Sequence, residues 1–212
     1  MVLVSHEPSL TCALCPRLTE FRIKNKNLYP TWHNAPVPSF GDFKSNILIV
    51  GLAPGLQGAN RTGRPFTGDY AGDLLYQTLL DFNLATGVYD PEQPSLYHLK
   101  NVRITNAVRC VPPENKPESQ EINHCLPFLK SEIAAMVHLK IILTLGTIAH
   151  NSVLKALDYK KTLYPFKHGA SYPLTPSLIL VNSYHCSRYN TNTGRLTSEM
   201  FQDVFRILTK FL

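Results

Sequence analysis

The stretch Ile47-Leu48-Ile49-Val50-Gly51-Leu52-Ala53-Pro54-Gly55 begins as an unbroken apolar run and ends abruptly in glycine and proline. An apolar residue at every position, rather than at every second one, fits a strand buried on both faces. Three more such runs follow, at 102–105, 141–145 and 178–181. Helical patterns lie between them. Over 71–83, Leu74, Leu75, Thr78, Leu79 and Phe82 share one stripe. Pro117 can open a helix in which Ile122, Cys125, Leu126, Leu129, Ile133 and Met136 recur at three and four residues. A shorter candidate spans 147–157. Thr197 can cap a last helix whose inner face is Phe201, Val204, Phe205, Leu208, Phe211 and Leu212. Strands alternating with helices predict an α/β domain: a three-layer α/β/α sandwich around a central four-stranded parallel sheet.

The length of 212 residues suits one such domain over 1–212, with an N-terminal cysteine-bearing segment. Hydrophobic residues make up 44%, enough for a sizeable core, and charged residues 17%, too few for a disordered chain. No run reaches the ~18 apolar residues of a membrane span. The first ten residues lack the basic and apolar regions of a secretory signal. Five cysteines is an odd number, which argues against a disulfide framework. A reducing, cytoplasmic compartment is therefore expected, with no membrane association and a monomeric protein. Twenty-one Lys and Arg against 15 Asp and Glu leave a net charge of +6, compatible with a polyanionic partner but not diagnostic of one.

In open parallel sheets, ligands bind beyond the carboxyl ends of the strands. After the first strand come Gly51, Gly55, Gly58, Gly63 and Gly68, then Asp69 and a helix. Glycines there let the backbone approach a ligand, although the spacing is neither a Walker loop nor a dinucleotide fingerprint. Asp69 alone reads as a helix cap. After the second strand, Asn106 could offer a donor and an acceptor together to a planar base edge, or simply form a turn. After the fourth come Tyr184-His185-Cys186-Ser187-Arg188-Tyr189. His185 can donate a hydrogen bond to a developing anion, and Arg188 and Tyr189 suit phosphates or stacked bases. Each loop alone is equally an ordinary polar loop; their conjunction at strand ends points to a site.

Cys12 and Cys15 form a Cys-x2-Cys pair, Cys110 follows the second strand, and Cys125 lies in the helix after it. Four thiolates can close a tetrahedral zinc site or bind an iron–sulfur cubane. Composition does not choose between them. Cys186, beside His185, is the remaining thiol.

These residues carry a resemblance. Gly51-Leu52-Ala53-Pro54-Gly55, with the block from Gly58 to Asp69, resembles the first motif of the family 5 uracil-DNA glycosylases. Thr105-Asn106-Ala107-Val108-Arg109-Cys110, followed by Pro112-Pro113-Glu114-Asn115-Lys116-Pro117, is similar to the family's middle block. The block from His185 to Thr197 resembles its second motif. The resemblance implies a DNA-repair hydrolase that cleaves the N-glycosidic bond of uracil, and of other deaminated bases such as hypoxanthine, flipped out of damaged DNA. It implies a [4Fe-4S] cluster on Cys12, Cys15, Cys110 and Cys125, where zinc is the alternative.

It also implies site roles. Phe66 would stack on the flipped base, Asn106 would pair with its amide edge, and Gly55 would let the loop approach it. His185 would stabilise the departing anion, and Asp69 would face the cationic sugar. Arg61, Arg64, Arg188 and Arg195 would contact phosphates.

Two positions depart from related glycosylases. Ala53 stands where other families carry a water-activating Asp or Asn, as the family 5 pattern also lacks a polar residue there. The usual His-Pro-Ser reads His185-Cys186-Ser187, which restores a backbone N–H and predicts a more mobile loop. The rival expectations are a non-catalytic, metal-stabilised nucleic-acid-binding module and a hydrolase of free nucleotides.

Overall fold

The computed structural model describes residues 6–212, so the first five residues of the expected domain lie outside the described residues. The four apolar runs form β1 (Ile47–Gly51), β4 (Val102–Asn106), β5 (Ile141–Leu145) and β7 (Leu178–Ser183), all mutually parallel. β1, β4 and β5 are buried at every position, as continuous hydrophobicity predicts, whereas β7 starts half-buried at Leu178 and Ile179 and is buried from Leu180. The sheet holds a fifth strand, β6 (Ser171–Thr175), antiparallel to β7 at the edge, giving the order β4-β1-β5-β7-β6. A two-stranded ribbon, β2 (Ala85–Gly87) with β3 (Tyr97–Leu99), lies outside it.

Alternate side chains of each central strand feed opposite cores. Ile47, Ile49, Ile141, Leu143 and Val181 pack with α3 (Tyr70–Asp81) and α7 (Ser198–Leu208) on one face. Leu48, Val50, Ile142 and Leu180 pack with α4 (Ser119–Ala135) and α5 (Thr147–Ala156) on the other. The three layers are therefore as the sequence predicts. Helix α4 starts two residues after Pro117, because Glu118 is its N-cap and closes a reciprocal capping box with Glu121. Thr197 caps α7 through a hydrogen bond from the Met200 N–H, 3.1 Å long, but α7 ends at Leu208, so Phe211 and Leu212, expected on its inner face, are exposed.

An N-terminal helix, α1 (Pro16–Leu28), has no apolar stripe and buries only Leu18, Arg22 and Asn25. Leu18 packs beside Cys15, Cys110 and Cys125 in a third, small core. No helix among the described residues is long and apolar enough to cross a membrane.

The chain moves from β1 outward to β4 and then back past β1 to β5. The carboxyl end of β1 is thus a topological switch point, where a crevice opens between diverging connections.

Candidate active site

A cleft of about 880 Å³ opens at that point. Its lining includes Gly55, Asp69, His185, Arg188 and Arg195. Loops after β1, β5 and β7 therefore meet there.

Asp69 is the N-cap of α3, its Oδ1 accepting from the Gly72 N–H at 3.0 Å. The other oxygen lies against the glycine loop. A Cβ placed on Gly58 would stand 2.5 Å from Asp69 Oδ2, and one on Gly55 3.0 Å from it. Those glycines are needed because the backbone passes over the carboxylate. Burial pushes the Asp69 pKa above the usual carboxylate value.

His185 lies deep in the cleft, and burial lowers its pKa to about 4. At neutral pH it is a neutral imidazole that can donate one hydrogen bond without carrying charge. Its ring stacks on Phe66, with centroids 5.9 Å apart.

Phe66 and Asn106 sit behind the cleft lining, packed around Gly51. A Cβ on Gly51 would stand 2.4 Å from the Asn106 Oδ1 and 2.4 Å from the Phe66 ring. Phe66 holds a left-handed backbone (φ 55°), an unfavourable conformation for an aromatic residue that surrounding contacts must impose. The Asn106 Oδ1 is buried without a hydrogen-bond partner, an acceptor with its capacity unspent.

The four arginines separate. Arg188 and Arg195 are exposed and line the cleft. The Arg195 guanidinium lies over the Tyr184 ring at 4.8 Å. Tyr184 in turn stacks on His168 at 4.9 Å, and its N–H donates to the His168 Nδ1. Arg61 is outside the lining and pairs with the exposed Glu92 at 2.8 Å. Arg64, the fourth expected phosphate contact, has a different setting. It is buried, donating to Thr67 Oγ1 at 2.9 Å and lying over the Phe40 and Tyr76 rings.

Cys186 is fully buried, and its thiol donates to the Ala71 carbonyl at 3.4 Å. The φ freedom expected from losing a proline is met by a side-chain tether to the first turn of α3. Sequence reasoning gave no role to Tyr184, Phe166 or Asn115, which also line the cleft. Asn115 and Tyr184 lie in stretches that the sequence singles out, but no local pattern tells that they face the cleft, since their position depends on how the loops close.

On the far side of Ala53, Cys12, Cys15, Cys110 and Cys125 line one small cavity with Arg22 and His124. Among the described residues no three His, Cys, Asp or Glu side chains form a group placed to hold a metal ion. Burial, then the Cys125 charge, pushes the Cys15 pKa up to about 11, and burial pushes that of Cys110 up to about 12. Arg22 opposes both shifts. It is itself buried, donates to the Cys12 carbonyl, and keeps an Nε with no hydrogen-bond partner. His124 Nδ1 lies 3.5 Å from Cys15 Sγ. Four soft donors beside a buried cation with an unspent N–H fit an anionic, thiolate-ligated group.

Residues 38–209 match the family model described as the uracil DNA glycosylase superfamily. The chain is 43% identical over 199 residues to a type-5 uracil-DNA glycosylase of Thermus thermophilus, covering 91% of this chain and 90% of that protein. It is 38% identical to a type-5 uracil-DNA glycosylase of Pyrobaculum aerophilum, over 93% and 87% of the two chains. A type-4 uracil-DNA glycosylase of Sulfurisphaera tokodaii is 30% identical, over 93% and 80%.

Proposed function

Because this chain belongs to the uracil DNA glycosylase superfamily, we propose that it excises uracil from DNA by hydrolysing the N-glycosidic bond. The observation that carries the reading is a single cleft at the β1 switch point lined by both Asp69 and His185. A base in a duplex must be flipped out before a side chain can reach its glycosidic bond. Behind the cleft, the unspent Asn106 Oδ1 matches the N3–H of uracil, a donor that cytosine lacks at that atom. Phe66 offers a ring for stacking beside it.

In the proposed reaction the C1′–N1 bond breaks and its electron pair leaves on uracil. Neutral His185 donates a hydrogen bond to that anion. The Asp69 carboxylate faces the oxocarbenium-like sugar and orients the water whose oxygen bonds to C1′. The water's proton leaves to the uracil anion, which completes an abasic site and free uracil. Hypoxanthine is a second proposed substrate. Its N1–H presents the same donor next to a carbonyl.

A strand-nicking assay tests this with duplexes carrying uracil opposite G, hypoxanthine opposite T, and no lesion. Alkali-labile product on the uracil duplex supports the reading. Intact binding with no product would favour a binding-only module, which the glycosylase relatives speak against.

The proposed working form is a cytoplasmic monomer on DNA. Arg188 and Arg195 are its proposed phosphate contacts. The Arg188→Ala/Arg195→Ala double variant should lower the slope of log affinity against log salt by about 2. An unchanged slope would remove both from the interface.

Cys12, Cys15, Cys110 and Cys125 are proposed to hold a [4Fe-4S] cluster. When bound, it supplies a structural tie between the N-terminal segment and the loop after β4, with no redox step in the hydrolysis. Purified protein should contain iron and acid-labile sulfide in equal amounts. Zinc without sulfide would replace the cluster with a tetrahedral site.

A further inference from the structure

β7 pairs with β5 only as far as Ser183, opposite Leu145. The chain beyond carries His185 with no ladder to hold it. Side chains fix the next two peptide groups instead. The Tyr184 N–H donates to His168 Nδ1 at 3.1 Å, and the His185 carbonyl accepts from Asn190 Nδ2 at 2.8 Å.

His168 reaches this point from the turn before β6. That turn is tied to β7, because the Gly169 N–H donates to the Asn182 carbonyl at 2.8 Å and the Asn182 N–H to the Ala170 carbonyl at 3.0 Å. The His168 ring lies nearly parallel to the Tyr184 ring, with centroids 4.9 Å apart and planes 15° apart. The Arg195 guanidinium lies over the same Tyr184 ring at 4.8 Å. His168 thus touches both the backbone that carries His185 and the ring that carries Arg195, without lining the cleft itself.

A ring nitrogen accepts only while it is unprotonated. With Nδ1 accepting, the hydrogen of the neutral imidazole sits on Nε2, and the Met200 carbonyl accepts from the ring. Burial lowers the His168 pKa against the opposing pull of that carbonyl and of Asp203, both in α7. The form that can hold the Tyr184 N–H is therefore the resting one.

We infer that His168 is a positioning residue with two separate effects: its Nδ1 sets the backbone at Tyr184 and so the place of the His185 ring, and its ring face sets Tyr184 and so the place of Arg195. This rests on the glycosylase reading, in which His185 meets the departing anion and Arg195 the DNA backbone. A misplaced donor lowers the rate, because its hydrogen bond must be aimed where charge develops. A loosened cation lowers affinity, because binding must then order it. Two substitutions separate the effects. Asparagine keeps an acceptor near Nδ1 and loses the ring, whereas phenylalanine keeps the ring and loses the acceptor.

The test uses the protein with its native metal content and a uracil-containing duplex. His168→Phe should lower the single-turnover rate at saturating duplex about tenfold, with Kd at the wild-type value. His168→Asn should raise Kd about fivefold with that rate unchanged. In an Arg195→Ala background, His168→Asn should add nothing further to Kd, since its effect runs through Arg195.

Wild-type values in both variants would overturn the inference. So would equal losses of rate and affinity in both, which a general loss of structure produces, or the reverse assignment of the two losses. The full penalty of His168→Asn on top of Arg195→Ala would overturn it as well. If His168→Phe fails to fold, the rate of His168→Asn and the Arg195 cycle decide. Wild-type protein that bound the duplex but released no uracil would sink the glycosylase reading. The Kd cycle would still judge His168, as would hydrogen exchange of the Tyr184 N–H, expected slow in wild type and fast in His168→Phe.

Discussion

Asp69→Asn should cut uracil excision by about a hundredfold or more while raising thermal stability, two effects of opposite sign from one atom change. The loss follows from charge, since an amide can neither face a cationic sugar with a negative charge nor orient a water as a carboxylate does. The gain follows from burial. Desolvation raises the Asp69 pKa in the fold. A group with a raised folded pKa contributes stability that is fully present below its unfolded value, near 3.8, and is lost as pH rises through the folded pKa. At neutral pH the ionised carboxylate therefore burdens the fold, and asparagine lifts that burden while still capping α3.

Asp69→Ala separates the two roles. It should lose the same activity but also the hydrogen bond to the Gly72 N–H, lowering stability by about 1 kcal/mol. Thermal melts and single-turnover rates on one uracil duplex check all three proteins. Equal activity in wild type and Asp69→Asn would leave Asp69 as a cap only. The wild-type rate should also fall on acidification through the raised Asp69 pKa, whereas His185, lowered to about 4, is already neutral at pH 7.

The central strands were legible because a strand buried on both faces has only one way to look: Ile141–Leu145 is apolar or β-branched throughout, and its ends coincide with the expected ones. β6 was not legible. Ser171-Tyr172-Pro173-Leu174-Thr175 buries only Leu174, and Pro173 argues against a strand unless it lies at an edge, which is where it lies. α1 was missed for a related reason. Its inward face is Leu18, Arg22 and Asn25, a polar face that serves the cysteine cavity rather than an apolar core.

The site divided in the same way. His185 was singled out by its place after a buried strand, Asp69 by its place only as a helix cap and as a site residue through the family resemblance, and both line the cleft. The burial of Arg64 was not legible, because a basic residue in a glycine-rich loop looks exposed until the aromatic pair Phe40 and Tyr76 is seen beneath it. That pairing joins residues far apart in sequence, and no local pattern encodes it.

The same holds for the other large effect. Glu132→Gln should lower stability by about 3–5 kcal/mol, or prevent folding, although no motif of the sequence singles Glu132 out. Its carboxylate is fully buried in α4 between two buried arginines, Oε1 accepting from Arg103 Nε and Oε2 from Arg109 Nη2, each at 2.6 Å. Arg103 also donates to the Gly41 carbonyl and pairs with Glu7 at 3.3 Å, while Arg109 donates to Ser39 Oγ at 2.6 Å. Desolvation alone would raise the Glu132 pKa, but the Arg109 and Arg103 charges overcome it and hold the group below the usual carboxylate range.

The stability that this pairing contributes is present above the unfolded pKa and lost as pH falls through the lowered folded one. An amide at 132 strips buried Arg109 of its paired carboxylate and leaves Arg103 with only Glu7, which costs more than the pairing itself contributes. The combination Arg103→Met/Arg109→Met/Glu132→Leu should therefore be more stable than Glu132→Gln alone, because it removes the stranded charges together. Urea midpoints for the two proteins check the ordering.

The consequence reaches the cysteine cavity. Arg109 immediately precedes Cys110, and its carbonyl accepts from the Val37 N–H at 2.7 Å. Loosening Arg109 loosens the loop that carries one of the four thiols. Glu132→Gln should accordingly retain less iron per chain than Asp69→Asn, whose defect lies on the other side of Ala53. Equal iron contents would show that the buried triad supports the sheet and leaves the cysteine loop to hold itself.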